Sequence, residues 1–450
     1  MLSNTDNDLL TKVDPGTAMG QMLRRYWVPA LLSEEMPEPG SPPVRMKLMG
    51  ERLVAFRSHN GEVGVLQEFC AHRRASLFFG RNEGESSPDG QVGLRCSYHG
   101  WKYDITGKCV DMPNEPSTSR FKQHIQLRSY LAAERGGVVW VYMGPAEDKP
   151  ELPEVEWALL PDSHRFVSKR IQRSSFLQAM EGGIDSSHVS FLHSDAPLWS
   201  PWWTHQTDGP RQHLATGAPK FFIEPTDYGL LLGARRETED DDYYWRITQW
   251  LMPWYTMVPR DEAEPIAAHA WVPIDDETCW TWSISYVPER PLHKHELDYY
   301  RGGGHIHAET IPGTFEPLRN ADNDYLVDRV LQKSGASFSG IAGIAMQDVA
   351  MQESMGAIVD RSEENLGSAD AGIIAARKRL LAEVRALADS HVSPSGLDPL
   401  SHRVRSTTAV LAKDTSWVDA TRESRQASHD LYANADAAPA ASLKEGVQSS

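Results

Sequence analysis

Two short segments of this 450-residue chain each place a cysteine close to a histidine. Cys70 and His72 are two residues apart in "CAHRRASL", and Cys96 and His99 are three apart in "CSYHGWKYD". Zinc sites and iron–sulfur centres use thiolate sulfur and imidazole nitrogen as ligands. Because 23 residues separate His72 from Cys96, one centre can use both pairs only if two loops come together. The sequence therefore predicts two ligand-bearing loops on a β-rich scaffold.

Two kinds of centre take two thiolates and two imidazoles: structural zinc and a Rieske [2Fe–2S] cluster. Zinc sites usually pair Cys with Cys and His with His along the chain. Here each segment offers one of each, so the thiolates can bind one metal and the imidazoles the other. That division matches a Rieske cluster, in which two histidines replace two cysteines on one iron. We predict that Cys70, His72, Cys96 and His99 hold a [2Fe–2S] cluster.

Composition limits the possible partners and the compartment. The net charge of −17 disfavours nucleic acid and anionic membranes as partners. The chain has no run of about 18 apolar residues, which predicts that no segment spans a membrane. Its first residues lack the basic stretch of a signal peptide. Only four cysteines occur, which argues against a disulfide framework and predicts a reducing, cytoplasmic location.

The order of patterns predicts an α+β protein with two domains. A helix is predicted within residues 1–28, ending near Pro29. The β-rich Rieske domain follows over 29–148, with strands such as "ERLVAFRS" and "GGVVWVYMG". A stretch rich in proline and acidic residues leads to a second domain over 149–432. The small, polar residues 433–450 predict a disordered tail.

The second domain combines an antiparallel sheet with helices. Strands are predicted at "KFFIEP", "YGLLLGARR", "YYWRITQWLM", "AAHAWVP" and "TCWTWSISYV". Two helices are predicted near "AMQDVAMQESMGAIVD" and "AGIIAARKRLLAEVRALAD", where apolar residues recur at three- and four-residue spacing. An earlier helix, "SSFLQAMEGGIDSSHVSFLH", is predicted to break at Gly182 and Gly183.

A second group of candidate metal ligands lies at the end of that earlier helix. Asp185 and His188, three residues apart, would share one helix face. His188 and His193 are five apart, which on a regular helix separates them by about 140°. Both can reach one metal only if the helix distorts or if His193 lies beyond its end. The spacing alone is weak evidence for a metal site. The cluster motif upstream makes a metal site at these residues the favoured interpretation.

Both groups resemble motifs of one family. "CAHRRASL…CSYHGWKYD", including the Gly-Trp-Lys-Tyr-Asp after His99, resembles the Rieske motif of ring-hydroxylating non-haem iron oxygenases. Asp-x-x-His-x-x-x-x-His resembles their mononuclear iron motif, and the chain looks most like the α-subunits of the phthalate dioxygenase branch. The resemblance implies a catalytic domain of the helix-grip (START-like) type. The chain departs from the family pattern at Ala71, where Pro is common, at Arg74, where Gly is common, and in the lengthened loop "EGESSPDGQ".

By this resemblance His188 and His193 bind a mononuclear Fe(II) together with one distant carboxylate. The carboxylates available downstream are Asp324, Asp328, Asp348, Glu353 and Asp360. We predict Asp348, because an acid within "GIAMQDVAMQES" is set among apolar residues and needs a metal or a partner.

Asp185 has a different implied role. In the family, the matching Asp connects a Rieske His of one subunit to an iron-binding His of the next. The alternative is a local capping role, since Asp followed by Ser-Ser is also a cap signature. The glycine-rich setting of His305 and His307 predicts a loop rather than a further metal pair.

The resemblance also implies partners. A separate NADH-dependent reductase, carrying flavin and a plant-type [2Fe–2S] cluster, would supply single electrons to a homo-oligomer, a trimer or hexamer, of this chain. O₂ would be the co-substrate, and the product would be a cis-dihydrodiol or a hydroxylated or dealkylated aromatic. This chain has no Gly-rich nucleotide-binding motif, which agrees with NADH binding elsewhere.

The implied substrate is an aromatic acid such as phthalate or a related benzoate, which needs a cation in the pocket. Arg246 shares one strand face with Tyr244 and Thr248. The sequence leaves two partners open for it: the substrate carboxylate, or an internal ion pair such as one with the nearby "EDDD". Arg211 is a second candidate. Alternatives that stay open are a monooxygenase acting on an aryl ether such as phenoxybenzoate or on an N- or O-methylated aromatic, a Rieske electron carrier, and a zinc-stabilised binding protein.

Overall fold

A computed structural model describes residues 2–194, 218–238, 241–259 and 264–427. Within these residues the chain forms two compact units. The smaller unit contains residues 14–16 and 23–150, and the larger contains 2–13, 17–22 and the residues from 151 onward. No helix in the described ranges has the length and apolarity needed to cross a membrane.

The smaller unit is built from ten short strands. They are β1 (Trp27–Leu32), β2 (Val44–Leu48), β3 (Glu51–Arg57), β4 (Val63–Gln67), β5 (Arg81–Glu83), β6 (Gly93–Arg95), β7 (Lys102–Tyr103), β8 (Cys109–Asp111), β9 (Ser129–Arg135) and β10 (Val138–Tyr142). Six form a sheet in the order β1-β10-β9-β4-β3-β2, and the other four form the sheet β5-β6-β7-β8. All of these pairs are antiparallel. The loop with Cys96 and His99 joins β6 to β7, and the loop with Cys70 and His72 lies between β4 of the larger sheet and β5 of the smaller one.

The larger unit contains one eight-stranded antiparallel sheet. Its strands are β11 (Arg165–Gln172), β12 (Lys220–Pro225), β13 (Gly229–Glu237), β14 (Asp242–Leu251), β15 (Tyr255–Val258), β16 (Ile266–Pro273), β17 (Cys279–Tyr286) and β18 (Thr407–Ala412). The order is β11-β17-β16-β15-β14-β13-β12, and β18 pairs with β14. The predicted α+β class, with an antiparallel sheet and helices in the second half, is confirmed.

The described residues also form helices, most of them short. They are α1 (Asn4–Thr11), α2 (Ala18–Leu23), α3 (Glu156–Leu159), α4 (Phe176–Ile184), α5 (Lys294–Arg301), α6 (Arg329–Ser334), α7 (Ile344–Ser354), α8 (Ala371–Ser390) and α9 (Trp417–Ala420). α4 packs on β15 and β16, and also contacts α7. The predicted break at Gly182 and Gly183 is wrong, because α4 continues through both. A Cβ on Gly183 would meet Trp271 of β16, so this glycine lets the helix lie directly on the sheet.

The prediction of one N-terminal helix up to Pro29 is also wrong. The segment contains α1 and α2, and then β1 begins at Trp27. All six residues of β1 are buried, and the strand pairs with β10. Pro29 is tolerated because β1 is an edge strand whose register shifts between Pro29 and Leu31. Burial on both faces therefore outweighs the helical spacing of the apolar residues.

Candidate cluster site and active site

The two cysteine–histidine loops have the same backbone pattern. The Cys70 N–H donates to the Ala75 carbonyl, and the Cys96 N–H donates to the Trp101 carbonyl, both five residues later. In each loop the residue four after the cysteine donates back to the cysteine carbonyl. That residue is Gly100 in one loop, with φ +81°, and Arg74 in the other, with φ +61°. Arg74 thus takes a left-handed conformation that favours glycine, and its guanidinium lies over the Phe69 ring.

The four side chains fall into a thiol pair and an imidazole pair. The ring centroids of His72 and His99 are 4.5 Å apart, and His72 stacks on Trp101 at 4.7 Å. Nδ1 of His72 is buried and has no hydrogen-bond partner among the described residues. Both thiols are buried. A hydrogen bond from Cys70 outweighs the opposing effect of burial and lowers the pKa of Cys96 to about 6, which favours the thiolate that a metal requires.

This arrangement fits a two-iron cluster better than one zinc ion. Across the described ranges, a single group of three or more His, Cys, Asp or Glu donors lies within 4.8 Å of one another, and it is not in these loops. One tetrahedral zinc needs all four donors within bonding distance of the same point. A [2Fe–2S] cluster needs only that the thiols meet one iron and the imidazoles the other. The buried free nitrogen of His72 suits that role.

The lengthened loop between the two motifs has a structural role. It surrounds the ammonium group of Lys102, which follows the second motif and is fully buried. Nζ of Lys102 donates to Ser87 Oγ at 3.0 Å, to Asp89 Oδ1 at 2.6 Å and to the Gln91 carbonyl at 2.9 Å. Burial opposes the charge of Asp89, but Lys102 and Ser87 outweigh it and lower the pKa of this carboxyl. The insertion therefore encloses a buried cation beside the cluster loop.

The second donor group lies where α4 ends. The helix stops at Ile184, and His188 and His193 lie in the irregular turn that follows. Asp348 comes from α7. Nε2 of His188 and Nε2 of His193 are 3.2 Å apart, and Oδ1 of Asp348 is 3.5 Å from the first and 3.1 Å from the second. These three atoms form the donor group within 4.8 Å noted above. Two imidazoles and one carboxylate match the facial triad of non-haem Fe(II) sites.

A second contact orients each imidazole. Oδ2 of Asp185 is 3.2 Å from Nδ1 of His188, and Oε1 of Gln347 is 2.7 Å from Nδ1 of His193. Each oxygen accepts a hydrogen bond from Nδ1–H, so the Nε2 lone pairs point toward the shared centre. Asp185 also accepts from the backbone N–H of Ser187 at 2.7 Å. Gln347 was not predicted; its position next to Asp348 in an apolar helix was the available signal.

Electrostatics give this group a negative local charge. Burial opposes the charge of Asp348, but His193 and His188 outweigh it and leave the carboxyl pKa below its ordinary value. Burial also works against protonation of His188, but the hydrogen bond with Asp185 outweighs it and raises the pKa of that imidazole. A carboxylate on each side of His188 thus supplies negative charge where a cation would be bound.

We expect that Gln347→Leu weakens iron binding at this site by about 10- to 100-fold. The substitution removes the acceptor that fixes the ring of His193, and Gln347 is fully buried. Iron content after dialysis against a graded chelator would measure the change. Ser354→Ala is the matched control on α7, because that hydroxyl bonds only the Met351 carbonyl. Equal iron retention in both variants would contradict the role assigned to Gln347.

A cavity of about 110 Å³ adjoins the three donors. Arg246 and Thr248 of β14, which were predicted to share one face of the strand, both line it. Trp271 and His269 of β16 form part of the sheet side. Arg170 of β11 lines it too and was not predicted, because this strand was not recognised in the sequence. The volume is of the same order as cavities that hold one benzene ring.

The other predicted residues lie outside the donor group. Asp328 caps α6, Glu353 bonds the Tyr325 hydroxyl at 2.6 Å, and Asp360 bonds Ser362. Asp324 lies in a strained turn with φ +50°. Arg211 lies outside the described residues.

His305 and His307 lie in a loop, as predicted. His307 is buried and bonds Ser168 at 2.7 Å and Ser285 at 3.0 Å, whereas His305 lines the cavity.

The fold presents two donor groups, one with the donor set of a two-iron cluster and one with the donor set of a mononuclear metal site beside a cavity. Residues 26–130 match the family model of the Rieske [2Fe-2S] domain, and residues 141–438 match the model described as LigXa C-terminal domain like. The chain belongs to the Rieske oxygenases, as the terminal, ring-hydroxylating oxygenase subunit. The predicted Rieske cluster is thus confirmed, and the roles of the individual ligands stay predictions.

Two relatives and one solved structure illustrate the similarity. The chain is 39% identical to the 3-chlorobenzoate-3,4-dioxygenase oxygenase subunit of Comamonas testosteroni, over 88% of this chain and 92% of that one. It is 36% identical to the phthalate 4,5-dioxygenase oxygenase subunit of Pseudomonas putida, over 93% and 94%. Dicamba monooxygenase bound to dicamba shares the fold, with a TM-score of 0.57 at 16% identity, over 82% and 99%.

Proposed function

We propose that this subunit oxygenates an aromatic carboxylate, phthalate or a related benzoate, in aromatic catabolism. The observation that carries the proposal is the position of Arg246 in the cavity beside the metal donors. No carboxylate in the described ranges forms an ion pair with Arg246, so its guanidinium is available to a ligand. Arginine suits this role because its planar fork binds both oxygens of a carboxylate.

The rest of the cavity suits a ring. Trp271, Val258 and Ile306 supply apolar lining, and His188, His193 and Asp348 supply polar lining. A ring held at its carboxylate by Arg246 would lie in the same cavity as the metal donors. Both curated relatives described above are named for aromatic acids, which supports this class of substrate.

A cluster held by Cys70, His72, Cys96 and His99 would supply single electrons, and an iron held by His188, His193 and Asp348 would supply the reaction centre for O₂. Rieske oxygenases work with a separate electron-transfer component, and for this chain we propose an NADH-dependent reductase with flavin and a [2Fe–2S] cluster. We also propose cytoplasmic trimers or hexamers. Dioxygenation is the favoured reaction, and incorporation of two rather than one labelled oxygen atom from ¹⁸O₂ would separate it from the monooxygenase alternative.

The direct test is coupled consumption of O₂ and NADH by the holoenzyme with a partner reductase. Phthalate, benzoate and 3-chlorobenzoate should stimulate both, and a neutral ring such as toluene should not. Arg246→Gln should raise KM for the carboxylates by about 10- to 100-fold, the value of a charge-assisted contact of about 1.5–3 kcal/mol. Uncoupled O₂ uptake should change little.

Arg235→Gln is the matched control. Arg235 lies on the neighbouring strand β13, with its guanidinium over the Tyr243 ring and outside the cavity lining. If Arg246→Gln leaves KM at the value of the control, Arg246 does not bind the substrate carboxylate.

A further inference from the structure

Arg170 lies in the middle of β11, on the side of the sheet that faces α4. It pairs with Thr281 of β17, and Thr281 pairs with Trp271 of β16. Directly paired residues of antiparallel strands share a face. Trp271 is the residue that approaches Gly183 of α4. The Arg170 side chain is therefore on the cavity side, where it forms part of the lining, and only 4% of the residue is exposed.

The hydrogen bonds of Arg170 go only to uncharged groups. Nη1 donates to Ser283 Oγ at 3.0 Å and to the Ile306 carbonyl at 3.4 Å. Nε is buried and has no acceptor among the described residues. Burial lowers the pKa of Arg170 to about 10, so the side chain stays cationic at neutral pH. A buried charge without a counter-ion is costly unless a ligand supplies one.

Two other buried arginines of this unit are paired with a carboxylate. Arg361 and Arg377 both contact Glu181, and the half-buried Arg405 contacts Glu156. Arg170 differs because no carboxylate in the described ranges lies within ion-pair distance of it, while the cavity does lie beside it. The charge of Asp348, which lines the same cavity, acts on Arg170 but does not form an ion pair with it. A direct contact with the Arg170 guanidinium is therefore open to an acidic ligand in the cavity.

Arg170 and Arg246 approach the cavity from different parts of the sheet. β11 and β14 are separated by the three strands β17, β16 and β15, so their backbones are about 19 Å apart along the sheet. The charge of Arg246 acts on His188, and that of Arg170 acts on His269. Both side chains nevertheless line one cavity. A ligand with one acidic group can neutralise one of these cations, whereas a ligand with two can neutralise both.

We propose that Arg170 is a second anion-binding residue of the cavity, which selects aromatic rings that carry a second acidic group. This rests on the proposed function, in which Arg246 binds the first carboxylate. Arg170 is a specificity-determining residue rather than part of the metal site. A purely structural role, in which it only holds the Ile306 loop to β17, is the competing explanation.

Anaerobic calorimetric titration of the iron-loaded holoprotein tests the proposal without turnover. The probes are benzoate and the 1,2-, 1,3- and 1,4-benzenedicarboxylates. We expect Arg170→Gln to weaken binding of the preferred dicarboxylate by about 10- to 100-fold and binding of benzoate by less than about 3-fold. Arg246→Gln should weaken both. Arg173→Gln is the matched control, because Arg173 lies just beyond β11, is half-exposed and contacts Glu316.

Each outcome decides between the explanations. Equal losses for benzoate and dicarboxylate, or no loss, would overturn the role of Arg170. If wild type binds none of the four acids, the proposed function fails instead. Wild type alone gives an independent readout that needs no variant to fold: the monomethyl ester of the preferred dicarboxylate should bind about 10-fold more weakly than the diacid. Equal binding of ester and diacid would also overturn the proposal.

Discussion

Asp185→Asn should lower coupled turnover by about 100-fold while the chain keeps about three irons, two in the cluster and one at the mononuclear site. Asn can still accept the hydrogen bond from the Ser187 N–H, which Asp185 accepts at 2.7 Å. The local turn is therefore preserved. What is lost is the carboxylate that faces Nδ1 of His188 at 3.2 Å. By the family resemblance, we propose that this carboxylate also contacts a Rieske histidine of a neighbouring subunit.

The measurement separates electron delivery from metal binding. Iron content is determined first, and then the rate at which a pre-reduced cluster is reoxidised by O₂ in the presence of substrate. Ser187→Ala is the matched control in the same turn, because its buried hydroxyl has no partner among the described residues. Loss of the third iron from Asp185→Asn would mean that Asp185 only orients His188. Normal reoxidation with full iron content would remove it from electron transfer altogether.

Features whose residues are close in sequence could be predicted well. Each of two short loops offers one thiol and one imidazole, a pattern that predicts a Rieske cluster; the binding of that cluster by Cys70, His72, Cys96 and His99 stays a prediction. His188 and His193 required more, because they lie beyond the end of α4 and helical spacing does not describe them. Asp348 could be chosen because a carboxylate in an apolar helix needs a partner. The structure brings these three side chains together, and their binding of iron stays a prediction.

Features that depend on distant strands could not be predicted. Arg170 gains its meaning only from the pairing of β11 with β17 and of β17 with β16, which places it beside a cavity. Gly182 and Gly183 suggested a break because glycine is a poor helix former. Packing overrides that propensity, since a Cβ at either position would meet Gln352 or Trp271. In each case the local structure depends on a contact between residues that are far apart in the sequence.

Glu181→Gln should lower the free energy of unfolding by about 3–5 kcal/mol, because it leaves the buried guanidinium of Arg361 without a carboxylate and that of Arg377 with Glu364 alone. Oε2 of Glu181 is 3.1 Å from Nη2 of Arg361, and Oε1 is 2.7 Å from Nε of Arg377. Arg361 is fully buried and Arg377 is 4% exposed. The contacts join α4 to α8 and to the segment before it, so they also hold the helix that ends at the metal donors.

Denaturant titrations at several pH values would measure the effect. Burial opposes the charge of Glu181, but Arg361 and Arg377 outweigh it and lower its pKa. The carboxylate therefore contributes fully above about pH 5 and loses its contribution as pH falls through the lowered folded-state pKa. The deficit of Glu181→Gln should be constant above about pH 5 and shrink in more acidic solution. Glu383→Gln is the matched control, because its partner Arg379 is partly exposed on α8, and it should cost less than about 1 kcal/mol. A deficit no larger than this control would show that Arg361 and Arg377 do not depend on Glu181.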